Sequence, residues 1–475
     1  MNLLITFLIT FIPNAAPVEI RKPNIILVVA DDLGSAELGC YGQKIIKTPH
    51  LDLMAQNGLR FNRFYSGNAV CAPSRSVLMT GLHSGHTPIR DNREAKPEGQ
   101  HPLPDGTLTL AKLMKQAGYA TGAMGKWGLG GPDSKAHPNL MGFDLFYGYN
   151  CQRVAHNHYP KYLWRNDKKE ELEGNDAGVT GKQFSHDLME KEALKFISDQ
   201  QSKPFFLFLP FIIPHVALQI PDELLKEYKG KFEDPAYVGG KGYQPHPSPR
   251  AAYAAMITRL DKTMGKINAL LKELKLDQDT IVMFTSDNGP THGGVGGSDS
   301  EFFNSAGILR GLKGSLYEGG IRVPLIAYCP GKIPEAKICN TPFGFQDLLP
   351  TCCEIAGIAA PSKIDGISML PTFVNKGEQR THEMLYWEFP GYGGQQALIL
   401  GKWKGVKQKM GQGNNTLELY DLESDPSEST NVASKNQEIA VKMELNMKGQ
   451  HTPNKDFPLP IVDFEPKKNS LNKKK

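Results

Sequence analysis

Short apolar runs alternate with longer amphipathic stretches along most of this chain. Four of these runs cover positions 24–30, 119–125, 204–209 and 280–286. Continuous apolar runs of this length are typical of parallel strands buried on both faces, and the stretches between them have helical spacing. We therefore predict an α/β fold in which a large mixed, mostly parallel sheet is sandwiched by helices.

Two of the intervening stretches are clear helices. Residues 109–117 are amphipathic and end at Gly118, a residue typical of the position after a helix, and residues 251–274 form the longest predicted helix. Residues 219–250 differ, because they are rich in Pro, Gly, Tyr and Lys and have no clear period. This stretch is either a long surface excursion that contacts substrate as a lid or a disordered insertion.

The pattern changes near residue 364, where short strand signals follow one another without long helices. Residues 397–400, 403–406 and 417–422 predict a small antiparallel sheet, and residues 437–447 predict a helix packed on it. The predicted boundaries are an export signal over 1–16, a catalytic α/β domain over 17–363, a C-terminal α+β subdomain over 364–462 and a basic disordered tail over 463–475.

The N-terminal residues predict export. Residues 3–12 form an apolar run of signal-peptide length, and the small residues Ala15 and Ala16 follow as a cleavage site. The other interpretation is a short hydrophobic lead strand. No run is long enough to cross a bilayer as a helix. We predict an exported protein, periplasmic or secreted, without a membrane span.

Charge says little about partners. The net charge of +4 is small for 475 residues, and only the C-terminal lysines form a basic run. These lysines are not interleaved with aromatic residues, so they do not predict a nucleic-acid partner.

Polar side chains follow the four apolar runs at the point where each predicted strand ends. In a parallel sheet, ligands bind at the carboxyl ends of the strands, so these side chains are predicted to share one site. Carboxylate and amide oxygens suit Ca²⁺ or Mg²⁺ rather than zinc. The alternative for each carboxylate is an ordinary turn or helix cap. The residues concerned are Asp31, Asp32, Lys126, His215, Asp287 and Asn288.

The run from Cys71 to Gly81 carries the most specific chemistry in the chain. Cys71 lies at or just before a predicted helix start, where free amides and a partial positive charge favour anions. Arg75 adds a permanently charged, fork-shaped donor on the next turn. The run therefore indicates a reactive group beside an anion site, or else a buried thiol ahead of an ordinary helix.

Cys-x-Pro-Ser-Arg followed by Thr-Gly resembles the signature of the type I sulfatases of the alkaline phosphatase superfamily, and the resemblance extends from about Pro23 to Val432. It implies that a maturation enzyme oxidises Cys71 to Cα-formylglycine, whose hydrated form is the nucleophile. It also implies a calcium ion, with Mg²⁺ equally compatible with the oxygen ligands. The implied metal-site residues are Asp31, Asp32, Cys71, Asp287 and Asn288.

The resemblance also implies roles around the sulfate. Arg75, Lys126 and Lys313 are the expected cations, and Lys313 lies in a glycine-rich run that resembles the second lysine motif of the family. His215 is the expected general acid to the leaving oxygen, a role that Lys313 can share. Asp287 is expected to take a proton from the nucleophilic hydroxyl.

One position departs from the family pattern Gly-Lys-Trp-His-Leu-Gly, because Gly128 stands where the histidine is expected. In the family this histidine accepts a proton from the second hydroxyl of the nucleophile, which releases sulfate. The auxiliary candidates for this step are His156, His158 and His292.

The predicted function is hydrolysis of sulfate esters, on a sulfated carbohydrate or an aryl sulfate. The carbohydrate prediction adds Tyr147, Tyr149, Tyr159 and Tyr243 as rings that stack on sugars. One alternative is a phosphoester or phosphonate hydrolase of the same superfamily, which a Cys in this motif disfavours. The other is a non-catalytic sulfoglycan-binding homologue, which the glycine at position 128 favours.

Overall fold

A computed structural model describes residues 22–240 and 242–464. The predicted signal at 1–16 lies outside the described residues, as does the predicted basic tail except for Asp463 and Phe464. No helix within the described residues is both long and apolar enough to cross a membrane.

An eleven-stranded sheet forms the centre of the molecule. Its strand order is β10-β2-β9-β8-β1-β7-β3-β4-β5-β6, with β11 beside β2. The strands are Asn24–Ala30 (β1), Leu59–Tyr65 (β2), Ala120–Lys126 (β3), Leu145–Tyr149 (β4), Tyr162–Arg165 (β5), Lys168–Glu171 (β6), Phe205–Pro210 (β7), Thr280–Ser286 (β8), Arg322–Tyr328 (β9), Lys337–Cys339 (β10) and Phe343–Gly344 (β11).

Helices cover both faces of this sheet. They are Pro49–Gln56 (α1), Cys71–Thr80 (α2), Leu110–Gln116 (α3), Ser185–Asp199 (α4), Asp222–Leu225 (α5), Pro249–Glu273 (α6), Glu318–Ile321 (α7), Leu348–Ile355 (α8) and Leu370–Val374 (α9). The long helix expected over residues 251–274 is confirmed as α6, and the helix expected over 109–117 is α3, capped by the Thr109 side chain.

The central strand β1 shows why the apolar runs are continuous. Its alternate residues point to opposite faces of the sheet, as in any strand. Ile26 and Val28 pack in the core on the side of α4 and α6, whereas Ile25 and Leu27 pack in the core on the side of α2 and α8. Both faces are buried, and the predicted α/β sandwich is confirmed.

The register of the parallel strands brings their carboxyl ends to one level. Strand β1 lies between β7 and β8 and runs parallel to both, with Ala30 paired with Ser286. The amide of Asp287 donates to the carbonyl of Ala30 at 3.0 Å. Strand β3, which ends at Lys126, runs parallel to β7 on the other side. The residues after these strands therefore meet at one edge.

The C-terminal part forms the predicted small antiparallel sheet with a packed helix. Its elements are Met384–Phe389 (β12), Gln395–Leu400 (β13), Trp403–Lys407 (β14), Leu417–Asp421 (β15) and Gln437–Gln450 (α10). The strands pair in chain order. Met443 and Met447 of α10 are buried against Leu398 and Leu419 of the sheet, so one apolar face of the helix closes this second core.

His451 links the end of α10 to this sheet. Its Nδ1 lies 2.8 Å from a Glu388 carboxylate oxygen and its Nε2 lies 3.0 Å from Asp463 Oδ1. Burial disfavours the charged ring, but the two carboxylates outweigh burial and raise the pKa of His451. Arg90 also contacts Glu388.

This contact predicts a pH-dependent stability. A raised folded pKa means that the charged contact contributes fully below the unfolded pKa of about 6.5 and is lost as pH rises through the folded value. We expect His451→Gln to lower the free energy of unfolding more at about pH 5.5 than at about pH 8.5. Urea unfolding at both pH values measures the difference, and an equal loss at both would contradict the prediction.

Candidate active site

The site is built around Cys71, the first residue of helix α2. Its Sγ is buried, donates to Asp31 Oδ1 at 3.3 Å and accepts from Lys313 Nζ at 3.6 Å. Burial, together with the negative charge of Asp31, raises the pKa of the Cys71 thiol to about 12. Because the thiolate is the reactive form, an unmodified Cys71 is a poor nucleophile at neutral pH.

Two acidic strand ends meet beside this residue. Asp31 and Asp32 follow β1, Asp287 and Asn288 follow β8, and all four side chains are fully buried. Asp287 Oδ1 accepts the amide of Asp32 at 3.2 Å, and the Asn288 side-chain amide donates to Asp32 Oδ1 at 2.7 Å. Asp32 has a φ of +65°, a left-handed conformation uncommon outside glycine that often marks a functional site.

Two buried cations and one partly buried cation face these carboxylates. Lys126 pairs with Asp31, Arg75 NH2 lies 2.8 Å from Asp287 Oδ2, and Lys313 Nζ lies 2.7 Å from Asp32 Oδ1. Arg75 also donates to the carbonyl of Lys126.

The nearby cations help to determine which of these carboxyl groups are ionised. Burial opposes ionisation of Asp31, but Lys126, His215 and Arg75 outweigh it and hold the pKa of Asp31 well below its usual range. Burial and the neighbouring Asp31 raise the pKa of Asp287 to about 6. Of the three carboxyl groups of the site, Asp287 is therefore the one most ready to exchange a proton near neutral pH.

The donor set fits a hard divalent cation. One ligand atom from each of Asp31, Asp32, Cys71 and His215 lies within 4.8 Å of the others. The Oδ1 atom of Asn288 is buried and has no hydrogen-bond partner, and an oxygen left in this way is suited to a cation. The structure thus brings together all five residues that the sequence predicts for the metal.

His215 lies at the mouth of this group, with Nε2 3.5 Å from Asp32 Oδ2. Burial and the nearby Lys313 lower the pKa of His215 to about 4. Its Nδ1 contacts the carbonyl of Val216. An imidazole N–H that donates to this carbonyl leaves Nε2 unprotonated in the neutral ring, so Nε2 can donate a proton only after the ring becomes charged.

The three auxiliary histidines lie in different places. The His156 ring stacks on His215, with ring centroids 4.9 Å apart, and His158 Nε2 lies 3.1 Å from the His215 carbonyl oxygen. His292 lies farther out, beside Tyr392 with ring centroids 5.9 Å apart. His156 and His158 therefore surround His215.

A cleft of about 550 Å³ opens over the site. Cys71, Lys313 and His215 lie in its wall, and Tyr243 reaches it from the stretch over residues 219–250. That stretch contains the short helix α5 and little other regular structure, which agrees with a substrate-contacting excursion.

The aromatic prediction is wrong for three of its four residues. Tyr147, Tyr149 and Tyr159 are buried in the main core, because their rings complete the packing beside the sheet. The cleft instead holds Tyr392, from the turn between β12 and β13, which the sequence analysis missed. It also missed Thr291, which comes three residues after Asn288. The Thr291 hydroxyl donates to Asp32 Oδ2 at 2.5 Å.

Family comparison agrees with this geometry. A family model described as Sulfatase matches residues 23–358. The chain belongs to the sulfatase family. This sulfatase is a sulfuric ester hydrolase, as predicted, and a second model, described as N-sulphoglucosamine sulphohydrolase, C-terminal, matches residues 312–454.

Relatives of this sulfatase align over most of its length. It is 33% identical over 413 residues to N-acetylgalactosamine-6-sulfatase of Canis lupus familiaris, covering 81% of this chain and 71% of the relative. It is 30% identical over 468 residues to arylsulfatase A of Homo sapiens, covering 87% and 83%. Among solved structures, Ps i-CgsB in complex with k-i-k-neocarrahexaose superposes with a TM-score of 0.75 at 29% identity, covering 90% of this chain and 92% of that chain.

Proposed function

We propose that this sulfatase removes sulfate from a sulfated carbohydrate, with formylglycine made from Cys71 as the nucleophile and Ca²⁺ as the metal. The observation that carries the proposal is the contact of Cys71 Sγ with Asp31 at 3.3 Å, inside a cluster of acidic oxygens. The carbohydrate is supported by the names of relatives, which include an N-acetylgalactosamine-6-sulfatase and a structure in complex with neocarrahexaose.

A modified residue and a metal ion supply part of the proposed chemistry. Formylglycine provides a hydrated aldehyde as nucleophile, and a divalent ion held by Asp31, Asp32, Asp287 and Asn288 provides Lewis acidity. Mg²⁺ fits the same oxygen donors.

The protein's own charges orient the sulfate. Arg75, Lys126 and Lys313 balance the three carboxylates, so a divalent ion leaves the site positive and attractive to an anionic ester. Lys313 reaches both residue 71 and Asp32, and thus lies where a sulfuryl oxygen would bind. Asp287, with its raised pKa, accepts the proton of the nucleophilic hydroxyl.

The leaving oxygen needs a proton, because a sugar alkoxide is a poor leaving group. His215 and Lys313 are the donors at this end of the site. His215 donates from Nε2 once its ring is charged, and the negative charge of a bound sulfate favours that form. Lys313, held charged by Asp32, shares the task.

The function is tested with protein whose residue 71 has been converted, as verified by mass spectrometry. We expect release of sulfate from p-nitrophenyl sulfate and from N-acetylgalactosamine 6-sulfate, with a lower rate on p-nitrophenyl phosphate. Faster phosphate release would favour the phosphoester or phosphonate hydrolase. Binding of the sulfated sugar without turnover of any ester would favour a non-catalytic homologue.

The effect on kcat of removing the proton donor should depend on the leaving group. We expect His215→Gln to lower kcat on N-acetylgalactosamine 6-sulfate by about 10²- to 10⁴-fold, the usual contribution of general acid catalysis. The loss on p-nitrophenyl sulfate should be smaller, because a nitrophenolate leaves without protonation. His137→Gln, at a buried histidine outside the cleft, is the matched control. Equal losses on both esters would contradict the assignment.

A further inference from the structure

The backbone at Gly128 leaves space that another side chain fills. Gly128 has a φ of +74°, and a Cβ added there would lie 3.3 Å from Gln152 Nε2 and 3.6 Å from Gln152 Cγ. Gln152 is only 6% exposed and lines the same cleft as Cys71. The position where the family pattern places a histidine is therefore occupied by an amide that comes from the segment after β4.

The three auxiliary histidines pack beside other residues. The three atoms nearest to the added Cβ all belong to Gln152. His156 and His158 contact His215 instead, and His292 lies beside Tyr392. The residue next to Gly128 is thus an uncharged amide, which neither gives up nor accepts a proton near neutral pH.

Gln152 is connected to residue 71 through Asn92. Gln152 Nε2 donates to Asn92 Oδ1 at 3.3 Å, and the same oxygen accepts the backbone amide of Ala72 at 3.0 Å. Ala72 is the second residue of helix α2, and Val70 at the N-cap offers no side-chain hydrogen bond. Asn92 therefore supplies, from a distant segment, the acceptor that a helix usually receives from its own cap.

We propose that Asn92 and Gln152 are positioning residues for the nucleophile of this sulfatase. Asn92 fixes the first turn of α2 and with it residue 71 against Asp31, and Gln152 holds the Asn92 carbonyl oxygen toward the Ala72 amide. The inference rests on the proposed function, because residue 71 must be the nucleophile for its position to affect turnover. Gly128 suits this arrangement, because a Cβ there would lie 3.3 Å from Gln152 Nε2 and would force the amide to shift.

Substitutions at position 92 test the acceptor. We expect Asn92→Ala to lower kcat on p-nitrophenyl sulfate by about 10- to 100-fold, since small misplacements of reacting groups have effects of this size. KM should change less than about threefold, because the cations that bind sulfate are untouched. Asn92→Asp should keep kcat near wild type, since a carboxylate accepts from both Ala72 and Gln152. It should raise KM, because it adds a negative charge to a cleft that binds an anion.

The difference in kcat between the two variants separates positioning from a merely structural role. A structural role would change the unfolding temperature of both variants and would lower kcat in Asn92→Asp as well as in Asn92→Ala. Rates are normalised to the fraction of residue 71 converted, as measured by mass spectrometry. Asn92→Ala with wild-type kcat, or Asn92→Asp with the same kcat loss as Asn92→Ala, would overturn the inference.

A swap tests the crowding at Gly128. Gly128→His should push Gln152 away from Asn92 and lower kcat, and Gln152→Ala should lower kcat by a similar factor because it removes the same contact. The double variant should therefore lose no more activity than either single variant. Histidine is among the residues that tolerate a left-handed backbone. A double variant whose kcat loss equals the product of the two single losses would overturn the inference. If wild-type protein with converted residue 71 failed to hydrolyse p-nitrophenyl sulfate, the proposed function and this inference would fall together. An active wild type with unaffected variants would remove the inference alone.

Discussion

Cys71→Ala is expected to lower kcat on p-nitrophenyl sulfate by at least about 10⁴-fold, since removal of a covalent nucleophile has effects of this size or larger. In the proposed function, the carbon that carries the reacting oxygens is the Cβ of this residue, which alanine cannot replace. Substrate binding should survive, because Arg75, Lys126 and Lys313 are unchanged. Stopped-time assays of sulfate release and calorimetric titration with the same ester measure the two quantities.

The matched control is Cys40→Ala, at a partly buried thiol outside the cleft. This variant should keep wild-type kcat, and both variants should unfold at temperatures close to wild type because each loses only the atoms beyond the Cβ of one small side chain. A kcat of Cys71→Ala within about tenfold of wild type would show that residue 71 is not the nucleophile. Deletion of a covalent nucleophile lowers kcat by a far larger factor.

Removal of the divalent ion should abolish turnover and also lower the unfolding temperature. An ion that binds only the folded protein stabilises it by about 4 kcal/mol at a concentration 1,000 times its Kd. For a protein of this size that corresponds to a shift of a few degrees in Tm. We expect EGTA to cause both losses and added Ca²⁺ to reverse them, as measured by differential scanning calorimetry and by sulfate release.

A variant of the site distinguishes a specific ion from a general effect of chelation. Asp31→Asn removes one charged ligand, so its Tm should no longer respond to Ca²⁺, whereas Asp133→Asn at an exposed position should respond like wild type. A Tm that is indifferent to EGTA in the wild-type protein would show that these carboxylates hold no Ca²⁺, and indifference to EDTA as well would show that they hold no Mg²⁺. Comparison of Ca²⁺ with Mg²⁺ in the same experiment identifies the preferred metal.

The sheet and the acidic site could be predicted because both depend on local patterns. Strands buried on two faces are continuous apolar runs, and the residues after β1 and β8 share a level once the strands are parallel and in register. Asp31 and Asp287 could therefore be placed together before any coordinates were known.

The residues that the sequence analysis missed depend on contacts between distant segments. Asn92 and Gln152 meet Gly128 only in the folded chain, and neither has a recognisable neighbour pattern. Aromatic residues were misplaced for a related reason: a tyrosine has the same local pattern whether its ring completes a core, as Tyr147 does, or reaches a cleft, as Tyr392 does.

Tyr392 lies at the tip of the hairpin between β12 and β13, whereas the nucleophile and the acidic strand ends belong to the large sheet. The wall of the cleft is thus assembled from two sheets, which share a buried apolar cluster beneath the hairpin. A longer or shorter hairpin would reshape the entrance of the cleft and change which sugar is admitted. The residues that cleave the sulfate ester belong to the large sheet and would stay unchanged. Selectivity for the glycan can therefore change without a change in the residues that cleave the ester.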